Sequence, residues 1–172
     1  AVYDGTSAIM LSGETAAGKY PVESVRTMSL IAKSTEDNIH YAKRFLSRDF
    51  KIKNTLDAIS HATCGMAIDI DAVSIVVCSL SGKTARMVSR FRPPMDIIGL
   101  TTVEKKWRKL SLSWGVLPVM CEKYNSTDVM FYTATQKAKE VLGLKKGDRI
   151  VLTGGVTNGK SGNTDLIKVA SI

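Results

Sequence analysis

Aromatic residues are scarce in this 172-residue chain, at 6% of positions, and that bears directly on its net charge of +8. A single-stranded nucleic-acid platform interleaves stacking rings with cations. Here Lys and Arg are spread along the whole chain, with no block of five or six like charges. Nucleic acid is therefore not an expected partner, and the charge implies a solvated basic surface that attracts anionic metabolites. Long apolar runs are also missing. No stretch approaches the roughly 18 residues that span a bilayer, so no membrane partner is expected. The first residues lack the basic start of a signal peptide. Cys64, Cys78 and Cys121 are far apart and form no C-x-x-C. Such thiols imply a reduced, intracellular protein in which each cysteine is a packed structural residue. His40 and His61 have no partners at metal-ligand spacing, and no metal is expected in this chain.

Against these absences stands one dense stretch, Val73-Ser74-Ile75-Val76-Val77-Cys78-Ser79-Leu80-Ser81-Gly82-Lys83-Thr84. A buried-type strand runs into a hydroxyl-rich turn and then a helix. Free N–H groups at the start of a helix, with the positive end of its dipole, favour a phosphate there. The hydroxyls of Ser79, Ser81 and Thr84 add hydrogen bonds, and Lys83 adds charge. Gly82-Lys83-Thr84 imitates the end of a nucleotide-binding P-loop, but that motif needs a glycine five positions before Gly82, where Val77 stands. The turn suits one phosphoryl group better than a polyphosphate.

From Asn54 onward, strands and helices alternate. Helices are expected over 55–67, 84–91, 103–114 and 127–142, and strands over 72–78, 97–101, 116–121, 149–153 and 165–170. Pro93-Pro94 stops the second of these helices, and Ser126 and Gly143 cap the last. This pattern predicts an α/β fold: three α/β/α layers around a mostly parallel five-stranded sheet. Residues 1–49 differ. A short strand is expected over 7–11, a loop over 12–21, a helix from Pro21 toward Tyr41, and a linker or surface turn over 43–53. Ligands in such sheets lie beyond the carboxyl ends of the strands. Two strand-end loops look specialised: Ser79–Thr84, and the Gly/Ser/Thr-rich segment 153–164, which includes Gly155, Lys160, Ser161 and Gly162. If they are neighbours, a sugar phosphate or bisphosphate would bridge them.

Three stretches resemble the C-terminal part of pyruvate kinases of bacterial type. They are Met10-Leu11-Ser12-Gly13-Glu14-Thr15-Ala16 with Gly18-Lys19-Tyr20-Pro21-Val22-Glu23; Ser81 to Arg86 with Arg90-Phe91-Arg92-Pro93; and Trp114-Gly115-Val116-Leu117-Pro118 with Thr153-Gly154-Gly155-Val156 and the tail 162–169. The resemblance implies that residues 1–49 are a remnant of a (β/α)8 barrel, its last strand and final helix plus a linker. Residues 50–172 would then be the regulatory α/β domain. It implies that Ser12 and Glu14 edge an active site that this chain does not complete. It also implies that Ser79, Ser81, Gly82, Lys83 and Thr84 hold an effector phosphate, with Gly155, Lys160, Ser161 and Gly162 in an effector loop.

The family is cytoplasmic and glycolytic. Its members transfer a phosphoryl group between phosphoenolpyruvate and ADP with Mg2+ and K+, and are allosteric homotetramers that respond to effectors such as fructose 1,6-bisphosphate. The full-length enzyme would need those ions, whereas this chain alone is expected to hold no cofactor and to be inactive. The expected partners are a phosphorylated small molecule (a sugar phosphate or nucleoside monophosphate) and further copies of the chain. The competing reading is a subunit-interaction module that binds no effector.

Overall fold

A computed structural model describes residues 1–79, 81–155 and 164–172. It divides into two compact units, Ala1–His40 and Tyr41–Ile172.

The first unit holds two helices, α1 (Gly13–Ala16) and α2 (Pro21–Asp37), and neither buries a residue. Pro21 opens α2 as expected, since its missing N–H is one a first turn leaves unpaired. The strand expected over residues 7–11 is not formed. A lone strand has no ladder to satisfy its backbone, and the apolar side chains that suggested it, Ile9 and Met10, are exposed. The expected loop over 12–21 instead contains α1, because the Ser12 carbonyl accepts from the N–H groups of Thr15 and Ala16.

The second unit begins with α3 (Tyr41–Ser47), in the segment expected to be a linker. Phe45 accounts for the difference. It is buried and stacks on His61 at 4.8 Å, beside Phe50 at 5.5 Å. Packing an apolar face orders a short helix that propensity alone would not sustain. His61 is half-buried and packs its ring among Phe45, Phe50 and Phe91.

The remaining elements follow the expected alternation: α4 (Thr55–Asp69), β1 (Ser74–Cys78), α5 (Lys83–Arg90), β2 (Asp96–Thr101), α6 (Glu104–Leu110), β3 (Val116–Met120), α7 (Thr127–Leu142), β4 (Arg149–Gly154) and β5 (Leu166–Ser171). Helix α6 stops four residues before the expected end at Trp114. Ser126 caps α7 by accepting from Val129 N–H, and Gly143 closes it in the left-handed conformation.

The sheet order is β3-β2-β1-β4-β5. The first four strands are parallel and β5 runs antiparallel to β4. Every residue of β1 is buried, because the sheet is covered on both faces. Ile75 and Val77 face one core with Cys64 and Ala67 of α4, Ala85 and Val88 of α5, and Leu110 of α6. Val76 and Cys78 face the other core, with Met130, Phe131, Ala134 and Ala138 of α7. The expected three-layer α/β/α arrangement is therefore the one observed.

Candidate functional site

The strand order reverses beside β1: β1 leads to β2 on one flank, while β4 returns to pair on the other. Open α/β sheets bind ligands at this switch point, beyond the carboxyl ends of the strands. Here those ends are Cys78 and Thr153–Gly154, so both specialised loops leave the sheet at the place the topology favours.

The first loop is a tight, self-capped turn. Ser79 N–H donates to the Leu100 carbonyl at 3.2 Å, continuing the ladder one residue past β1. Gly82 N–H donates to Ser79 Oγ at 3.1 Å, and Lys83 N–H donates to Ser81 Oγ at 3.3 Å. Gly82 sits at φ +72, and a Cβ there would lie 3.2 Å from the Leu110 side chain. Both facts require glycine. The Lys83 side chain is exposed at the helix start.

Thr84 turns inward, 2% exposed, with Oγ1 2.6 Å from Thr164 Oγ1. Thr164 ends the second loop, whose base is closed where Asp165 N–H donates to the Gly154 carbonyl at 3.1 Å. Thr153 Oγ1 also donates to the Leu166 carbonyl at 2.9 Å. At Gly154 the backbone is crowded, and a Cβ would meet the Met130 side chain at 2.9 Å.

Of the residues expected at a site, Ser79, Ser81, Gly82, Lys83 and Thr84 thus share one turn, and Gly155 begins the adjoining loop. Lys160, Ser161 and Gly162 lie outside the described residues. Thr164 was not foreseen as a site residue. A hydroxyl at the end of a glycine-rich loop was the only local signal, and its partner is 80 positions away.

Ser12 and Glu14 belong to the first unit. The Glu14 carboxylate accepts from Ser12 N–H at 3.1 Å, and Thr15 Oγ1 donates to the Ser12 carbonyl at 3.2 Å. Both are held in a local helix-start arrangement. Gly18 is fixed by the same turn, since a Cβ there would stand 2.3 Å from the Glu14 carbonyl oxygen.

The thiols show no sign of activation. Burial pushes Cys64 and Cys78 far above the ordinary range, and the nearby Cys121 thiol adds to the effect on Cys78. Burial also raises Cys121, against smaller opposing effects from Tyr124 and Lys137. Among the described residues, no three His, Cys, Asp or Glu side chains gather as a metal ion requires.

Fold and site position together define a doubly wound α/β domain whose two specialised loops leave the sheet at the switch point. The chain belongs to the pyruvate kinase family: residues 57–170 match the family model described as the pyruvate kinase alpha/beta domain. It is 45% identical over 170 residues to the pyruvate kinase of Clostridium acetobutylicum, covering 98% of this chain and 36% of that protein. The pyruvate kinase of Geobacillus stearothermophilus is 42% identical, and that of Staphylococcus epidermidis 41%, each over 170 residues. The chain spans 29% of the length of each of these two relatives. No described helix is long and apolar enough to cross a membrane.

Proposed function

We propose that residues 41–172 form the effector-binding and subunit-contact domain of a pyruvate kinase, the glycolytic enzyme that passes a phosphoryl group between phosphoenolpyruvate and ADP in the cytoplasm. The turn Ser79–Thr84 takes one phosphoryl group of an anionic metabolite, a sugar phosphate such as fructose 1,6-bisphosphate or a nucleoside monophosphate. By the family resemblance, Gly155, Lys160, Ser161 and Gly162 belong to the same effector site. The observation that carries this reading is the buried Thr84–Thr164 contact, which ties the helix start to the end of that loop at the switch point. The Ser79, Ser81 and Thr84 hydroxyls and the Lys83 ammonium are donors of the kind phosphate recognition uses, while the Gly82 and Lys83 N–H groups already donate to Ser79 and Ser81 Oγ.

Phosphoryl transfer itself is mostly positioning and electrostatic stabilisation by metal and cationic groups. Ser12 and Glu14 would only border such a centre, so the 172-residue chain alone is expected to be inactive. Isothermal titration with fructose 1,6-bisphosphate, ribose 5-phosphate and AMP tests the binding. Saturable heat with at least one is expected, and silence with all three rejects the effector reading. A coupled assay with phosphoenolpyruvate, ADP, Mg2+ and K+ should show no turnover.

Subunit contact has its own support in the two sheet edges. Cys121 N–H donates inward to Thr101, so alternation turns Pro118 to the open side of β3, where it offers no N–H. Trp107 Nε1–H donates to the Pro118 carbonyl at 2.9 Å and covers the acceptor as well. Edge β3 is thereby blunted. At the other edge, Ile172 N–H donates inward to Asp148, which turns Ile167, Val169 and Ser171 outward along β5. That edge contains no proline and is the one suited to pair with a second copy of the chain.

A further inference from the structure

Helix α5 makes distant polar contacts at both ends. At its start, Thr84 Oγ1 meets Thr164 Oγ1 in a buried contact. Toward its end, Ser89 Oγ donates to the Trp114 carbonyl at 2.5 Å. Two residues beyond α5, Arg92 is held at φ +54 and sets its guanidinium 4.8 Å from the centre of the Trp114 ring. The Tyr41 ring lies 4.9 Å from the same indole, and Tyr41 is the first residue of the second unit. Eight residues of helix are about 12 Å long and move as a rigid piece.

The two threonine hydroxyls offer two discrete arrangements. With no ligand, one donates to the other. A phosphate oxygen that recruits the Thr84 proton leaves Thr84 Oγ1 as acceptor only, so Thr164 must become the donor or let go. Thr84 is 2% exposed, so a phosphate oxygen reaches its hydroxyl only by opening this contact, and opening a packed contact displaces the helix that carries it.

We propose that α5 is a coupling rod: phosphate ligation at Ser79–Thr84 resets the Thr84–Thr164 contact, and α5 carries that change to the Trp114 clamp formed with Arg92 and Tyr41. The inference rests on the phosphate reading given above and adds a route by which that site is sensed elsewhere.

The test uses the Trp107→Phe chain, in which Trp114 is the one remaining tryptophan. It is titrated with fructose 1,6-bisphosphate while emission is followed, and calorimetry is run in parallel. The emission of Trp114 should change saturably, with the same midpoint as the heat. Adding Ser89→Ala should abolish the emission change while the heat persists, and Ser89→Thr, which keeps the hydroxyl, should restore it. Thermal melts confirm that each variant is folded. Heat without an emission change, or an unaltered change in Ser89→Ala, overturns the coupling alone. Absence of heat overturns the phosphate reading and the coupling with it. A signal confined to the Trp114→Phe control, which retains Trp107, also overturns the coupling.

Discussion

Gly82 concentrates two demands in one residue. Its backbone is left-handed, and its missing Cβ leaves room for Leu110. Gly82→Ala should cost about 1–2 kcal/mol from the backbone conformation alone, before any movement of Leu110. A urea melt reads that cost, and an unchanged midpoint would refute the argument. The cysteines divide by burial. Cys64 and Cys78 are buried and Cys121 is half-exposed, so a disulfide reagent should titrate Cys121 in the native chain and all three after denaturation. Their raised pKa values also set a direction. The folded state keeps protons that the unfolded state releases above the ordinary thiol value of 9.0. Stability should therefore hold through neutral pH and fall as pH rises past about 9, which thermal melts across alkaline buffers would show. The turn that includes Ser79–Thr84 was legible in the sequence because its groups are neighbours in the chain. Thr164 was not, since only the pairing of β5 with β4 brings it to Thr84.

At the level of elements, legibility followed burial. The run through β1 announced itself because both of its faces are covered, so every position is constrained toward small or branched apolar residues. Residues 7–11 carry the same vocabulary but no neighbouring strands, and the pattern alone cannot supply a ladder. Helix α3 was hidden for the opposite reason. Its sequence is charged and short, and one buried ring, Phe45, holds it in place. The two sheet edges also differ by element, β3 being closed by Pro118 and Trp107 and β5 having no proline in its outward row. If β5 is the contact between copies, Val169→Pro should remove one outward donor and weaken self-association by about five- to tenfold, the equivalent of one hydrogen bond of roughly 1–1.5 kcal/mol. Sedimentation across a concentration series measures this, and an unchanged mass distribution would exclude β5.

For the whole molecule, the two units contrast sharply in what they bury. Sheet and helices of the second unit enclose two apolar cores. In the first unit, α2 leaves Val22, Val25, Leu30 and Ile31 exposed. Removing residues 1–40 should therefore reduce binding of a hydrophobic dye and leave the main thermal transition within a few degrees of the parent. Collapse of that transition would show that the second unit depends on the first. A last consequence follows from the self-capped turn. Because Ser79 and Ser81 already accept from the N–H groups of Gly82 and Lys83, an arriving ligand exchanges one acceptor for another there. A neutral polyol would trade hydroxyl for hydroxyl with no net gain. Only a ligand bearing formal negative charge improves on the resident serines, so the turn would sort solutes by ionic character, and added salt would erase that preference.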